Sequence, residues 1–226
     1  MPELRLVIWS GAKLVTFPEV SLNLLENVIW LGHSSLRITG EKKIYIDPFR
    51  IEGGAPADII LITHDHYDHF DRSSITKIHK AETIIIAPSS VCQQLSGDTR
   101  SIVPGGQITL DKVIIRAVPA YNIGKKFHPR ENQNVGYLIQ INNLTYYHAG
   151  DTDLTPEMKN IRADVAFLPV SGTYTMNAAE AAQAVKEIRP QVAVPIHWGA
   201  VCGTRADAEK FAQLADCIVV ILNKGK

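Results

Sequence analysis

A dense run of metal-binding residue types follows one apolar segment of the chain. Residues 63–69 read THDHYDH, directly after the buried-strand pattern at 58–62. Without a cation, these imidazoles would have to be solvated or protonated, and the carboxylates would repel one another. A divalent metal removes both costs, because neutral imidazole and carboxylate are ligands that zinc, manganese and iron accept. The run therefore predicts a metal site.

The spacing within this run suggests two ions rather than one. His64 and His66 are two residues apart and point the same way if the chain is extended, so both can bind one ion. Asp68 and His69 lie about one turn further on, where they would face a second position. We therefore expect one loop to contribute to two neighbouring metals.

Four other loops carry chemistry of the same kind. Asp151 follows a strand pattern and could bridge two cations, and His197 also follows a strand. His33 and His128 lie in two further loops. Taken singly, Asp151 is also typical of a turn or helix cap, and His197 of a hydrogen-bonded core histidine.

Short strands precede these loops through the first two thirds of the chain. From residue 27 the alternation of apolar segments and turns is typical of an antiparallel meander. Helical spacing over 73–80 predicts a helix with Ser73 or Ser74 as its cap. Asn142 and Asn143 predict a tight hairpin turn.

The last third changes to strand–helix–strand, twice over. A helix is predicted over 177–188, capped by Asn177 with Glu180 in capping-box register, and another over 204–215, beginning at Thr204. A meander followed by such units predicts an α/β fold with two sheets packed face to face and helices outside, a four-layer αββα sandwich.

No linker separates independent domains. Residues 1–25 differ in pattern from the rest of the chain and are expected to be an N-terminal extension or an edge element, with 26–226 as a single domain. The first residues lack the features of a signal peptide, and no apolar run approaches the ~20 residues needed to span a bilayer.

The composition is typical of a globular protein. Hydrophobic residues make up 46% of the chain, and 23 acidic residues balance 23 basic ones, so the charge gives no support for a nucleic-acid or membrane partner. Three cysteines without CxxC spacing make a disulfide framework improbable and favour a cytoplasmic location. Cys202 is expected to be a small packed residue.

The ordered motifs resemble those of the metallo-β-lactamase superfamily. The run at 63–69, then Gly150-Asp151-Thr152 after a strand, then His197 at the end of another strand, follow the order of that superfamily's signature. The segments at 30–34, 46–49, 147–152 and 168–176 are most similar to the branch of ascorbate-6-phosphate lactonase-like proteins and N-acyl phosphatidylethanolamine phospholipase D. The resemblance covers about residues 27–222 and implies the same αββα sandwich.

The resemblance also implies a role for each residue of the motifs. His64 and His66 would hold the first metal, with Asp151 as the bridge, and the ligands of the second metal would be Asp68, His69 and His197. Relatives usually have a histidine where this chain has Asn122. His128 is the favoured replacement, and His148 is the alternative.

The implied function is a metal-dependent hydrolase that uses a metal-activated hydroxide on a small ester, lactone or phosphodiester. The cofactors would be two divalent ions, zinc first, with manganese or iron as alternatives. Asp68 and His33 are the candidate catalytic residues, for handling protons. Alternative functions are nucleic-acid processing like that of ribonuclease Z and non-catalytic metal binding. No motif specifies the substrate or the oligomeric state.

Overall fold

The computed structural model describes residues 7–10, 13–14 and 23–225, and it contains two β-sheets packed face to face. The smaller sheet has six strands, in the order β3-β4-β5-β6-β7-β8. They are β3 (Val28–Gly32), β4 (Ser35–Ile38), β5 (Ile44–Ile46), β6 (Ile59–Leu61), β7 (Ile84–Ala87) and β8 (Thr99–Ser101). β3, β4 and β5 pair antiparallel, and the remaining pairs are parallel.

The larger sheet has nine strands, in the order β2-β1-β15-β14-β13-β12-β11-β10-β9. Its strands are β1 (Val7–Ser10), β2 (Lys13–Leu14), β9 (Gln107–Leu110), β10 (Val113–Pro119), β11 (Val135–Ile141), β12 (Leu144–His148), β13 (Val165–Pro169), β14 (Val192–Ile196) and β15 (Ile218–Ile221). β9 to β12 form an antiparallel meander, whereas β12 to β15 are parallel.

The period-two alternation of the strands fills two hydrophobic layers. In β5, Ile44 and Ile46 face the large core between the sheets, whereas Tyr45 packs in a second cluster on the outer face. β6 continues this pattern, with Ile59 inward and Ile60 outward. Burying each aliphatic side chain contributes roughly 1.5–3 kcal/mol, so both faces of this sheet hold the fold together.

Hydrogen-bond contacts from two residues of the larger sheet join the sheets beside the edge where the metal-binding motifs lie. The Tyr137 hydroxyl, from the larger sheet, lies 2.7 Å from the Ile62 carbonyl and 3.1 Å from the Ile86 carbonyl of the smaller sheet. The Val135 amide donates to the Thr63 carbonyl at 3.1 Å. These bonds fix the distance between the loops that follow the two sheets.

The helices lie on the outer faces. They are α1 (Arg72–Ile78), α2 (Ser89–Cys92), α3 (Ala178–Ile188) and α4 (Arg205–Leu214). Ile75 and Ile78 of α1 pack in the outer cluster of the smaller sheet. α3 packs on β13, and α4 packs on β14, β15 and β1. The four-layer αββα sandwich is therefore confirmed.

Helix starts followed the sequence prediction at two of three places. Asn177 caps α3 in a capping box with Glu180, and Thr204 precedes α4, as expected. α1, however, is capped by Asp71, whose carboxylate accepts from the Ser73 amide, so the predicted serine cap was wrong. A carboxylate and a hydroxyl satisfy free amide groups equally well, so the sequence did not distinguish them.

The hairpin turn has the predicted form. Asn142 and Asn143 have φ of 54° and 61°, the left-handed pair that a tight hairpin turn requires. At the other end of the chain, β1 and β2 lie at the edge of the larger sheet. The rest of the segment 1–22 lies outside the described residues, so the division at residue 25 stays a prediction. Within the described part of the chain, no helix has the length and apolar character needed to cross a membrane.

Candidate metal centre

All the loops with candidate ligands follow strands that run in the same direction. β5 and β6 are parallel, and β3 runs with them because two antiparallel pairings separate it from β5. In the larger sheet β12, β13 and β14 are parallel, and β10 runs with them for the same reason. The carboxyl ends of these strands therefore meet at one edge of the sandwich.

Asp151 lies at the centre of this edge, among imidazoles from both sheets. Its Oδ2 atom is 3.0 Å from His197 Nε2, 3.5 Å from His128 Nε2 and 4.0 Å from His64 Nε2. Its Oδ1 atom is 3.2 Å from His69 Nε2. One carboxylate thus contacts or approaches four ring nitrogens, as a bridging ligand would.

The polar side chains form three overlapping groups in which the candidate ligand atoms lie within 4.8 Å of one another. The groups are His64, His66 and His128; His33, Asp68, His69 and His197; and His64, His69 and Asp151. The first two match the two positions expected from the sequence, and the third joins them through Asp151. Every predicted ligand is therefore in the cluster.

The cluster contains buried polar atoms without hydrogen bonds. His69 Nε2, His197 Nε2 and Asp151 Oδ1 are buried, and none has a hydrogen-bond partner of acceptable geometry. Leaving such atoms unpaired costs about 1–3 kcal/mol each. All three point to the same small volume, and a cation there would satisfy them together. The residues present therefore fit a divalent metal.

The charges of the cluster lead to the same conclusion. Burial would raise the pKa of Asp151, but His197 and His69 hold it well below its usual range. Conversely, burial would lower the pKa of His197, but Asp151 raises it to about 9. Burial lowers the pKa of His64 well below 6.5, which keeps that imidazole neutral. The Asp151 carboxylate and the imidazoles around it therefore favour charge of opposite sign on one another, and a divalent cation can supply the positive charge in place of protons.

The glycine before Asp151 allows the chain to leave the sheet sharply. Gly150 has φ of +65°, and a Cβ atom there would lie 2.9 Å from the Val135 carbonyl oxygen and 3.3 Å from Thr63 Cβ. Only glycine fits this approach to the neighbouring chain without strain. Gly150 therefore brings Asp151 into the space between the two sheets.

The chain is similar along most of its length to proteins of one family. Residues 27–197 match the Beta-lactamase superfamily domain. A UPF0173 metal-dependent hydrolase from Pyrococcus horikoshii is 34% identical, over 88% of this chain and 97% of the relative. The corresponding protein from Thermoplasma acidophilum is 32% identical, over 84% of this chain and 91% of its own. This chain belongs to the metallo-β-lactamase superfamily.

Solved structures agree with this assignment. A metallo hydrolase from the hyperthermophilic archaeon Ignicoccus hospitalis superposes with a TM-score of 0.72 at 25% identity, over 88% of this chain and 95% of that one. Together with the Pyrococcus and Thermoplasma relatives, it places the chain among the metal-dependent hydrolases of the metallo-β-lactamase superfamily. Its membership of the lactonase-like branch stays a prediction.

The resemblance implies a histidine at the position of Asn122, with His128 or His148 as its replacement, and the structure brings His128 to the cluster. His128 lies in the cluster, with its Nε2 atom 3.0 Å from His66 Nδ1. His148 instead lies 2.9 Å from the Ser34 carbonyl oxygen and accepts from the Gly150 amide, so its ring faces away from the other candidates. Asn122 supports the loop, because its Nδ2 atom lies 3.2 Å from His128 Nδ1.

His33 lies in the group that contains Asp68, His69 and His197. Its Nε2 atom is 3.1 Å from Asp68 Oδ2, and both side chains are buried. Burial lowers the pKa of His33 despite the nearby Asp68 carboxylate. The His33 carbonyl also accepts from the His197 amide at 3.0 Å, so the backbones of these two loops are joined.

Several partners of the histidines were missed in the sequence. Asp47 Oδ2 accepts from His69 Nδ1 at 2.7 Å, and the Thr63 amide and hydroxyl both donate to the same carboxylate. Ser171 Oγ lies 3.0 Å from His197 Nδ1, and Cys202 Sγ lies 3.4 Å from it, closer than its expected packing role suggested. An acid placed between a buried strand and Pro48 was the available signal for Asp47.

Strained backbone is concentrated at this edge. His33, Asp47, His128 and His197 have φ of 54°, 45°, 58° and 58°, in the left-handed region that L-residues seldom adopt. Such conformations cost about 1–3 kcal/mol each and persist only where surrounding contacts impose them. The contacts of His33, His128 and His197 within the cluster, and of Asp47 with His69, are of the kind that can impose such conformations.

Proposed function

We propose that this chain hydrolyses a small ester, lactone or phosphodiester at a centre of two divalent cations. The observation that carries the proposal is the position of Asp151 between the two groups of imidazoles, with buried ligand atoms that no protein group satisfies. The name of its relatives, metal-dependent hydrolase, supports the reaction class.

Each cation has a distinct set of candidate ligands. His64, His66 and His128 would hold the first ion, and Asp68, His69 and His197 the second, with Asp151 shared. Zinc fits these nitrogen and oxygen donors best, and manganese and iron are alternatives. When bound, cations of this kind would lower the pKa of a water to about 7 and polarise the substrate oxygen.

The residues around the cations would control geometry and protons. Asp47 fixes the tautomer of His69, since its carboxylate accepts from Nδ1 and leaves Nε2 with a lone pair toward the centre. The His33–Asp68 pair, joined at 3.1 Å, can hold a proton next to the centre and release it to the leaving oxygen. The net reaction adds one water across the bond and yields an acid and an alcohol.

The cytoplasm is the proposed compartment. Cys92, Cys202 and Cys217 are free in the structure, which is typical of proteins kept in a reducing environment. Without a charge surplus or a basic arm to bind nucleic acid, a small molecule is the proposed partner.

The test is metal-dependent turnover by purified protein. We expect about two metal equivalents per chain and hydrolysis of bis(4-nitrophenyl) phosphate or 4-nitrophenyl acetate, abolished by chelation and by His66→Ala. His79→Ala is the matched control, because His79 is an exposed histidine at the end of α1. Turnover that persists in chelator and in His66→Ala would refute the proposal, and bound metal without turnover on any substrate would indicate a non-catalytic protein.

A further inference from the structure

Exposed hydrophobic side chains are concentrated at the mouth of the metal centre. Among the described residues, the exposed large hydrophobics are Tyr67, Val103, Ile123, Phe127, Tyr174 and Leu214. Tyr67 lies between His66 and Asp68, and Phe127 directly precedes His128. Tyr174 lies in the loop after β13. We call the side chains of Tyr67, Phe127 and Tyr174 the aromatic rim.

The rim lies beside the candidate ligands, and the Phe127 ring packs against one of them. The Phe127 ring lies 6.2 Å from the His66 ring and 5.1 Å from the Tyr174 ring, in edge-to-face geometry in both cases. The Tyr67 ring lies 6.1 Å from the Phe49 ring, which is 5.9 Å from the His33 ring. A group that extends from the centre past His66 would therefore lie close to the Phe127 ring.

The part of the rim beside His66 is fixed in place. Asn122 Nδ2 donates to the Phe127 carbonyl at 3.0 Å and to the Tyr174 carbonyl at 2.6 Å. Lys125 also joins the two loops, because it forms an ion pair with Asp153 and donates to the Thr175 carbonyl at 2.8 Å. Because both loops are already ordered, a ligand that packs on these rings loses little free energy in ordering them.

The size of the rim indicates what occupies it. A fully buried aromatic side chain covers about 150–250 Å², and Phe127 and Tyr174 are only 41% and 37% exposed. Three such side chains offer a few hundred Å² at most, on the order of half or less of the ~800 Å² per partner that a standard protein interface needs. An exposed area of this size suits a small organic group, and the rim borders the metal centre.

We propose that the aromatic rim binds an apolar group, aryl or alkyl, attached next to the scissile bond of the substrate. This inference rests on the proposed function and narrows its substrate class, from small esters, lactones and phosphodiesters in general to those with an apolar substituent. Tyr67, Phe127 and Tyr174 would then determine specificity without touching the reacting atoms.

The test compares the binding of phenylphosphonate and methylphosphonate to the zinc-loaded protein by titration calorimetry. Both probes present the same phosphonate oxygens to the centre, so the ratio of their affinities measures how much the phenyl group contributes to binding. Aromatic pairing adds attraction beyond the burial of apolar area, so phenylphosphonate should bind roughly tenfold more tightly than methylphosphonate. Phe127→Ala and Tyr174→Ala should each reduce this ratio about threefold or more.

The controls separate a ring contact from a general effect. Tyr174→Phe should keep the ratio, because the ring and not the hydroxyl is used, and so should Leu214→Ala, an exposed hydrophobic at the end of α4. Zinc content measured on every variant should not change, since Asn122 bonds to the backbone carbonyls of the rim loops and not to the rings. A wild-type ratio near one, or a ratio that the two alanine variants leave intact, would overturn the proposal.

The readout is binding, so it does not depend on turnover. Phenyl preference without any hydrolysis would support the rim and refute the proposed function. Hydrolysis with equal acceptance of aryl and methyl phosphodiesters, together with equal phosphonate binding, would refute the rim and leave the function standing. A change of oligomeric state in Phe127→Ala without any phenyl preference would show that a second copy occupies this surface, and would also overturn the proposal.

Discussion

At the scale of single residues, the histidines work as a set because each has a partner that orients it. Asp47 holds His69, the Thr63 hydroxyl lies 2.9 Å from His64 Nδ1, and Ser171 lies beside His197. Partners of this kind fix which ring nitrogen carries the proton and raise the basicity of the other. The affinity of the centre therefore depends on residues that do not touch a metal.

Asp47→Asn tests this dependence. The amide keeps the size of the side chain but cannot offer two negative oxygens to His69 and Thr63, so we expect metal affinity to fall about 10–100-fold. Competition with a chromogenic chelator measures the change. Asp58→Asn is the matched control, since Asp58 pairs with Lys80 at the opposite end of β6. Equal affinities of wild type and Asp47→Asn would show that the Asp47 contact has no influence on binding.

The candidate ligands could be predicted from residue type and spacing, whereas their exact set could not. His64, His66 and His69 share one loop, so their proximity followed from the sequence. The choice between His128 and His148 depended on a left-handed backbone at residue 128 and on the Asn122 side chain that supports it. Neither has a local sequence signal, because both are imposed by contacts between distant segments.

At the scale of elements, strand direction assembles the site. His33, Asp47 and the run at 63–69 follow strands of the smaller sheet, and Asp151 and His197 follow strands of the larger one. The apolar patterns predicted the strands, and the order of antiparallel and parallel segments predicted the two sheets. The sequence of β1 shows only that it is apolar and does not indicate that it pairs with β15. Which strand lies next to it depends on the edge that the rest of the sheet leaves open.

Asp71 provides a test at this scale. It caps α1 and also accepts from Ser74 Oγ at 2.7 Å and from the Arg50 amide at 3.1 Å. Asp71→Ala should therefore cost about 1 kcal/mol of unfolding free energy at neutral pH, measured by urea denaturation. Asp71→Asn should retain most of the stability, because its amide oxygen can still accept from the Ser73 amide.

The difference in unfolding free energy between wild type and Asp71→Ala should depend on pH. Partial burial would raise the pKa of Asp71, but hydrogen bonds from Ser74 and from the Arg50 amide lower it in the folded protein. A lowered folded pKa means that the stabilisation is complete above the unfolded value of about 3.9 and is lost as the pH falls through the folded value. The difference between wild type and Asp71→Ala should therefore shrink below about pH 4. A constant difference down to the acid limit would contradict this account of the cap.

At the scale of the whole molecule, bound cations would connect the two halves of the sandwich. The run at 63–69 belongs to the smaller sheet, whereas His128, Asp151 and His197 belong to the larger one. Direct bonds such as that of Tyr137 to the Ile62 carbonyl join the sheets at the same edge. Metal binding should therefore stabilise the complete fold and not only the loops.

Removal of the metal is expected to lower the melting temperature. A ligand present at 100 times its Kd stabilises the folded state by about 2.7 kcal/mol, and 1 kcal/mol corresponds to roughly 2–4 °C in a chain of this size. Calorimetry should thus show a decrease of about 5–11 °C after chelation. The Asp151→Ala variant is the control, and chelator should hardly change its melting temperature. An equal decrease in wild type and variant would mean that the metal binds elsewhere.

The central claim is that Asp151 lies between two cations held by imidazoles from both sheets. Anomalous diffraction at the zinc edge, on crystals of protein loaded with zinc, tests it most directly. We expect two peaks about 3.5–4 Å apart, on either side of Asp151, each about 2 Å from histidine Nε2 or Nδ1 atoms. Zinc peaks that lie away from Asp151 and His197, or no zinc at this edge in a protein that binds it stoichiometrically, would contradict the account.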